Sequence, residues 1–238
     1  MKFNDLFFDF DDTLYDTRGN NTLGLREIFD ACEWGKHIPD FEKFTRSYWK
    51  ANEEVWAKYT RKEMTREELI VARFRRPLEE CTTLKDTSFI TDDYCREVSD
   101  KYLDFCSCKP GTVEGAHELM RYLKEKGYRL HICSNGFHEV QYRKLRASEM
   151  EQYFDKVILS EDAGENKPGR GFFDYAFAQT GASPASTLMV GDNYQTDILG
   201  ALNYGLKAVW FNRWNAAQTP DERILLTTKS LLQLKEIL

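Results

Sequence analysis

The chain has 238 residues, of which 42% are hydrophobic and 30% charged, and its formal net charge at pH 7 is −6. This composition is typical of a globular protein with one large domain or a domain carrying an insertion. The acidic balance argues against a nucleic-acid polymer as partner, because that requires a basic face. No apolar run approaches the roughly 20 residues of a membrane span. With no signal-peptide pattern and six cysteines without framework spacing, we expect a cytoplasmic protein with reduced thiols.

The first predicted strand ends in a run of acids. Leu6 to Phe8 is an apolar stretch typical of a short buried strand, and Asp9, Asp11 and Asp12 follow directly. Because side chains at i and i+2 of an extended chain point the same way, Asp9 and Asp11 are expected to project together. Two such carboxylates resist desolvation unless a cation lies between them or one keeps its proton. Taken alone, the run also fits an acidic turn.

Residues 22–107 have a helical rather than a strand-like pattern. Apolar residues recur at helical spacing, and Asp40, Thr91 and the capping-box pattern at 65–68 mark three helix starts. The pattern predicts a bundle of about four helices, preceded by a polar loop at 15–21. The many aromatic residues of this block are interpreted as its core rather than as a substrate platform.

From residue 109 onward, strand and helix patterns alternate. Five further strands are predicted, at 128–133, 157–159, 187–190, 207–211 and 225–226. Such alternation predicts an α/β fold with a doubly wound parallel sheet. The first strand belongs with this half, so we expect an α/β core at 1–16 and 108–238, and an inserted all-helical domain at 17–107.

Polar residues follow the ends of three further predicted strands. Ser134 and Asn135 precede a helix, Lys167 lies before a proline near a helix start, and Asp192 and Asp197 bracket another helix start. Helix capping or a solvated surface explains each one taken alone. Together with the first acids, they are expected around one crevice, because the carboxyl ends of parallel strands lie at one edge of the sheet. So many carboxylates require a divalent cation, and all-oxygen ligands favour Mg²⁺.

These stretches resemble the ordered motifs of the haloacid dehalogenase superfamily. The four motifs are Asp9-Phe10-Asp11-Asp12-Thr13, Ser134-Asn135-Gly136, Lys167-Pro168 and Gly191-Asp192 through Asp197. The resemblance covers the whole chain, and it implies a Rossmann-like core with a helical cap inserted after the first motif. More narrowly, the cap placement, Ser134-Asn135-Gly136-Phe137 and residues 208–212 are similar to the pyrimidine 5′-nucleotidase branch. One departure is Gly169-Arg170-Gly171, which stands where relatives commonly continue with Asp-Pro.

The resemblance implies a Mg²⁺-dependent phosphatase that works through an aspartyl-phosphate intermediate. Asp9 would be the nucleophile, and Asp11 would be the general acid that later deprotonates water. The metal would be held by the Asp9 carboxylate, the backbone carbonyl of Asp11 and Asp192.

The remaining motif residues have supporting roles in this scheme. Lys167 is expected to be catalytic and, with Ser134 and Asn135, to bind the phosphoryl oxygens. Thr13 would fix the loop near the nucleophile, and Asp197 would orient Lys167 or a metal-bound water from outside the ligand set.

The expected partner is a small phosphorylated metabolite, and the specific hypothesis is a nucleoside 5′-monophosphate. A sugar-phosphate phosphatase or a phosphomutase would share every motif. A haloacid dehalogenase is less favoured, because Asp11 has no task when the attack is on carbon. A non-catalytic binding protein is less favoured, because every expected position is filled. Arg18, Asn20 and Asn21 are candidates for substrate selection, and the oligomeric state stays open.

Overall fold

The computed structural model describes residues 3–218 and 221–238. Met1 and Lys2, which belong to the predicted core, lie outside the described residues, as do Thr219 and Pro220. The chain forms two compact units, one of Met1–Thr17 with Pro110–Leu238 and the other of Arg18–Lys109.

The first unit is built on a six-stranded sheet within the described residues, with the strand order β3-β2-β1-β4-β5-β6. The strands are β1 (Asp5–Phe8), β2 (Arg129–Ser134), β3 (Lys156–Leu159), β4 (Thr187–Gly191), β5 (Lys207–Phe211) and β6 (Ile224–Thr228). All neighbouring strands are parallel. The predicted α/β fold with a doubly wound sheet is confirmed.

Strand β1 lies at the middle of the sheet, where the strand order reverses. Leu6 and Phe8 pack into one buried cluster and Phe7 into another on the opposite face, as the two-residue period of a strand requires. A strand buried on both faces reads as a continuous apolar run. The acids after Phe8 therefore emerge at the switch point, where sheets of this kind bind ligands.

The second unit is helical. Its helices are α1 (Thr17–Ala31), whose first residue belongs to the first unit, α2 (Phe41–Thr60), α3 (Arg66–Cys81) and α4 (Asp92–Ser107), with a short 3₁₀ turn at Trp34–Lys36. Asp40 and Thr91 each accept a backbone N–H of the following helix through their side chains, and Thr65 forms a capping box with Glu68. The three predicted helix starts are confirmed.

Aromatic rings fill the interior of this helical unit. Trp34, Phe44, Tyr48, Phe74 and Tyr102 are all buried in one cluster. Ring centroids lie 5.2 Å apart for Trp34 and Phe44 and 5.1 Å apart for Tyr48 and Phe74, within the range of favourable aromatic pairs. The interpretation of these rings as core is confirmed.

The polar loop predicted at 15–21 is wrong, because α1 begins at Thr17. Asn20, Gly24 and Ile28 are buried at four-residue intervals and extend the apolar face of α1 toward its N-terminus. A Cβ at Gly24 would lie only 2.9 Å from the Cβ of Cys106. Close packing within the unit thus outweighs the low helix propensity of the first turns.

The first unit carries the remaining helices. They are α5 (Ala116–Glu125), α6 (His138–Ala147), α7 (Ser160–Ala163), α8 (Arg170–Thr180) and α9 (Gly200–Tyr204), with a π-helical turn at Tyr194–Leu199 directly before α9. The predicted closing helix is a 3₁₀ helix at Leu231–Glu236. No helix of the described residues has the length and apolarity to cross a bilayer.

Candidate active site

Lys167 lies at the centre of the polar cluster at the ends of β1, β2 and β4. Its Nζ donates to Asp9 Oδ1 at 2.9 Å, to Asp197 Oδ1 at 2.7 Å and to the carbonyl oxygen of Cys133 at 2.6 Å. Burial by itself lowers the pKa of Lys167, but the charges of Asp197 and Asp9 and their hydrogen bonds outweigh it and raise the pKa. Lys167 is 1% exposed, so a permanent cation is held inside the cluster.

The backbone of Lys167 is fixed by Asn135. The Asn135 side chain accepts from the Lys167 N–H at 2.8 Å and donates to the Lys167 carbonyl oxygen at 3.0 Å. Both ends of the amide are therefore engaged by protein. Phosphate binding by Asn135 stays a prediction that depends on its backbone N–H.

The sequence departure after Pro168 has a local explanation. The Glu165 carboxylate accepts from the Gly171 N–H at 2.6 Å at the start of α8. A Cβ at Gly169 or at Gly171 would lie 2.4 Å from the nearest Glu165 atom. The two glycines thus leave room for an acidic side chain to cap this helix, which the N-terminal end of the helix dipole favours.

Asp9 is oriented through both of its carboxylate oxygens. Oδ1 accepts from Lys167, and Oδ2 accepts from the Thr13 hydroxyl at 3.1 Å. Asp9 is 7% exposed. Burial, together with the charges of Asp197 and Asp11, raises the pKa of Asp9 to about 7, although Lys167 opposes the shift.

Asp192 is joined to the same loop through Thr13. The Asp192 N–H donates to Thr13 Oγ1 at 3.0 Å, and that hydroxyl lies 3.4 Å from Asp192 Oδ1. Burial and then the charges of Asp9 and Asp197 raise the pKa of Asp192 well above its usual range. The Trp210 indole donates to the Asp192 carbonyl oxygen at 2.9 Å. Trp210 was not predicted as a site residue, because its place in an apolar strand indicates only packing.

Asp197 accepts three hydrogen bonds from protein donors. Its Oδ1 accepts from Lys167 and, at 3.1 Å, from Thr196 Oγ1, while Oδ2 accepts from the Asn193 N–H at 3.0 Å. A Cβ at Gly191 would lie 2.3 Å from Asp197 Oδ2. A glycine at the end of β4 is therefore required for Asp197 to approach the strand.

The carboxylates of Asp9, Asp192 and Asp197 can hold a metal ion. One oxygen from each lies within 4.8 Å of the others. Three carboxylates around one ammonium leave an excess of negative charge, which the raised pKa values of Asp9 and Asp192 express. An all-oxygen donor set with excess negative charge fits Mg²⁺. The Asp11 side chain is not part of this group, so the role of its carbonyl as a ligand stays a prediction.

Asp11 faces α6 and has its own partners. Its Oδ1 accepts from Lys144 Nζ at 2.5 Å and from the Thr17 hydroxyl, and its Oδ2 accepts from Gln141 Nε2. Burial by itself raises the pKa of Asp11, but the Lys144 charge and these hydrogen bonds outweigh it and lower the pKa. The predicted general acid is thus held as a carboxylate.

Ser134 lies at the end of β2 beside this second group. Its Oγ accepts from the Gly136 N–H at 3.1 Å and from Gln141 Nε2 at 2.6 Å. Since a hydroxyl has two acceptor positions and one donor hydrogen, the Ser134 O–H can point to another acceptor. Sequence reasoning missed Gln141 and Lys144, and the available signal was their three-residue spacing on a helix that follows a predicted site loop.

The predicted candidates for substrate selection all lie on α1 in the helical unit. The Arg18 guanidinium lies 4.8 Å from the ring centroid of Trp49 and 3.4 Å from a Glu53 carboxylate oxygen. Asn20 is buried. Their role in selectivity stays a prediction.

We expect Asp192→Asn to stabilise the metal-free protein. The folded-state pKa of Asp192 is raised, so its ionisation opposes folding, and stability is lost as the pH rises through that value. In EDTA at pH 8 the variant should gain roughly 1–2 kcal/mol in unfolding free energy, with little gain at pH 4. Urea denaturation at pH 8 and at pH 4 measures the two differences in unfolding free energy.

Glu125→Gln is the matched control, because Glu125 is an exposed acid on α5. It should change the free energy of unfolding by less than about 0.5 kcal/mol. Mg²⁺ should raise the melting temperature of the native protein and of this control, and should raise that of Asp192→Asn much less. A destabilised Asp192→Asn at pH 8 would contradict the excess-charge account.

A model of the haloacid dehalogenase-like hydrolase family matches residues 6–211 of the chain. The match begins in β1 and ends with β5, so it includes every motif residue of the cluster. The chain therefore belongs to the haloacid dehalogenase-like hydrolases.

Individual relatives extend over nearly the whole chain. The HAD-hydrolase YfnB of Bacillus subtilis is 28% identical over 99% of this chain and 94% of that protein. Its crystal structure, bound to magnesium and revealing interdomain movement, matches with a TM-score of 0.86 and covers 100% of this chain and 99% of that chain.

Two similar proteins are named as pyrimidine 5′-nucleotidases. PynA of Streptococcus pneumoniae is 29% identical over 87% of this chain and 83% of that protein. YjjG of Escherichia coli is 28% identical over 100% of this chain and 99% of that protein. The resemblance predicted from the motifs is confirmed for the family and for its similarity to these relatives.

Proposed function

We propose that this member of the haloacid dehalogenase-like hydrolases is a Mg²⁺-dependent phosphatase that hydrolyses a small phosphate monoester through an aspartyl-phosphate. The observation that carries the proposal is the fixed orientation of Asp9, whose two oxygens are held by Lys167 and Thr13. Lys167 favours the ionised form of Asp9, and the two contacts aim the carboxylate, as a nucleophile requires. The second carboxylate, Asp11, favours phosphoryl transfer over attack on carbon.

In the first step, an Asp9 oxygen would attack phosphorus in line with the leaving oxygen, and the bond between phosphorus and that oxygen would break. Ser134 would donate its O–H to a phosphoryl oxygen. Lys167 would offset the charge of Asp9 and of the phosphoryl group, and Asp197 would keep Lys167 in place. Each of these tasks is electrostatic or positional, as catalysis of phosphoryl transfer requires.

In the second step, Asp11 would take a proton from the water that attacks the aspartyl-phosphate and would thereby release phosphate. The ionised form that Lys144 favours at Asp11 is the form that this step uses. The first step uses the protonated form when the leaving oxygen is a poor leaving group. The proton that Asp11 takes from water in the second step would be the one that it gives to the leaving oxygen in the next turnover.

Asp9, Asp192 and the backbone carbonyl of Asp11 would hold Mg²⁺. When bound, the ion supplies positive charge that lets an anionic substrate approach the carboxylates. Support for Asp9 and Asp192 as ligands comes from their carboxylate oxygens, which lie within 4.8 Å of each other, and support for Mg²⁺ comes from the magnesium bound to YfnB.

For the substrate, we propose a nucleoside 5′-monophosphate, with pyrimidine nucleotides preferred. The names of PynA and YjjG support this choice. A sugar-phosphate phosphatase or a phosphomutase is the second candidate, because the groups at Asp9 and Asp11 serve each of these reactions equally. We further propose that the helical unit Arg18–Lys109 acts as a cap that selects the substrate.

We expect hydrolysis of phosphate monoesters to require Mg²⁺. In excess EDTA, kcat should fall at least about 100-fold, because the two anions would then meet without the cation that offsets them. The measurement is release of inorganic phosphate from nucleotides and sugar phosphates, with and without Mg²⁺. Equal turnover in EDTA would refute the metal assignment.

The same panel tests the substrate. Pyrimidine 5′-monophosphates should have the highest kcat/KM. If sugar phosphates exceeded every nucleotide by about tenfold, a transition-state difference near 1.4 kcal/mol, the second candidate would replace the first. Recovery of an isomeric phosphate ester in place of inorganic phosphate would identify a phosphomutase.

A further inference from the structure

Two buried side chains of α6 contact Asp11 and take no part in bond formation or cleavage in the chemistry above. Lys144 donates Nζ to Asp11 Oδ1 at 2.5 Å, and Gln141 donates Nε2 to Asp11 Oδ2. Gln141 is 0% exposed and Lys144 is 6% exposed. The Lys144 Nζ also lies 5.4 Å from the centroid of the Tyr15 ring, so the Lys144 side chain is held on more than one side.

Gln141 joins the two groups of the site. Its Nε2 contacts Asp11 Oδ2 and also Ser134 Oγ, and an amide nitrogen has two hydrogens, so both bonds form at once. Its Oε1 has no hydrogen-bond partner among the described residues. A flipped amide would place that oxygen against the Asp11 carboxylate, so the contacts fix the orientation of the amide.

The loop before α6 is shaped around this amide. A Cβ at Gly136 would lie 2.1 Å from Gln141 Nε2, so no other residue fits there without moving Gln141. The Gly136 N–H and Gln141 together occupy both acceptor positions of Ser134 Oγ. The Ser134 hydrogen is therefore directed to a different acceptor, as donation to a phosphoryl oxygen requires.

We propose that Lys144 and Gln141 are positioning residues, Lys144 for the Asp11 side chain alone and Gln141 for Asp11 and Ser134 together. This inference rests on the proposed phosphatase function. Because the two residues have different contacts, their substitutions should change different kinetic constants. Lys144 touches only the proton-transferring group, so its loss should affect kcat. Gln141 also orients a phosphate-binding hydroxyl, so its loss should affect both kcat and KM.

The test compares Lys144→Met, Gln141→Leu and the control Arg146→Met, which replaces an exposed cation on the same helix. With an alkyl monophosphate, Lys144→Met should lower kcat about 30-fold at unchanged KM, but with p-nitrophenyl phosphate only about threefold, because that leaving group needs no proton. Gln141→Leu should in addition raise KM about fivefold. Arg146→Met should match the native protein.

A double-mutant cycle separates positioning from general damage. In an Asp11→Asn background, Lys144→Met should cause no further loss of kcat, and Lys144→Arg should restore most of the native ratio between the two substrates. A loss that is equal for both substrates, or one that adds to that of Asp11→Asn, would overturn the proposal.

A crystal structure of Lys144→Met provides a readout that is independent of turnover. The Asp11 carboxylate should leave the position that it occupies in the native protein, and an unchanged Asp11 would overturn the inference. The turnover of the native protein with Mg²⁺ tests the phosphatase function separately.

Discussion

Asp9→Asn should abolish turnover, with kcat lowered by roughly 10⁴-fold or more, as for the removal of other nucleophiles. The amide oxygen can still accept from Lys167, and the amide nitrogen would then face the Thr13 hydroxyl, which can accept a hydrogen bond as well as donate one, so the fold and the substrate site should persist. The asparagine amide, however, cannot form the acyl-phosphate bond with the substrate phosphorus. Rapid quenching with a ³²P-labelled substrate should therefore trap phosphoprotein from the native chain and none from the variant.

The matched control for this experiment is Asp12→Asn. Asp12 lies in the same loop and pairs with Arg213 at 3.5 Å, and its φ of 56° is a left-handed conformation that asparagine accepts readily. The control should keep at least about a third of the native kcat. An active Asp9→Asn protein, once mass spectrometry has ruled out deamidation back to aspartate, would exclude Asp9 as the nucleophile.

The residues that sequence reasoning located lie next to predicted strand ends or helix starts. Asp9 and Lys167 could be found because each follows or precedes a recognisable element, and a parallel sheet brings such points to one edge. Gln141, Lys144 and Trp210 could not be found in this way. Periodicity is local, and polar residues on an amphipathic helix normally indicate the solvent face. The α6 pair contacts a carboxylate that lies 130 positions before Gln141 and 133 positions before Lys144.

The difference between local sequence patterns and long-range contacts also explains why the polar loop predicted at 15–21 is wrong. The weak helix formers after Thr17 predict a loop when propensity alone is considered, and contacts made much later in the chain reverse that preference. Gly24 packs against Cys106, a partner that local sequence does not reveal. Long-range packing therefore decides both where α1 begins and which side chains support Asp11.

The ionised carboxylates around Lys167 lower the free energy of unfolding, although the proposed reaction needs them. Asp9 and Asp192 have raised pKa values because their charges are buried near one another, and each raised value is a free-energy cost of ionisation in the folded state. Proteins commonly accept such costs at functional sites. Lys167 reduces this cost of ionisation, because its ammonium pairs with both Asp9 and Asp197.

Lys167→Met should therefore be the most destabilising substitution in the site. Removal of one partner from a buried ion pair leaves uncompensated charge and costs about 3–5 kcal/mol. The loss should depend on pH. Without Lys167, the pKa of Asp9 should rise above about 7, and a protein with a carboxyl whose folded-state pKa is raised loses stability as the pH rises through that value. Urea denaturation in EDTA should show a deficit of about 3–5 kcal/mol at pH 8.5 that shrinks to roughly 1–2 kcal/mol at pH 5.5.

Two further variants separate charge pairing from the loss of a long side chain. Lys156→Met removes an exposed lysine at the start of β3 and should change the free energy of unfolding by less than about 0.5 kcal/mol at either pH. The double variant Lys167→Met, Asp197→Asn should recover part of the deficit at pH 8.5, because it removes the Asp197 charge together with the Lys167 charge that paired with it. A deficit that is the same at pH 5.5 and 8.5, or a double variant less stable than Lys167→Met alone, would show that Lys167 stabilises the site by packing rather than by charge.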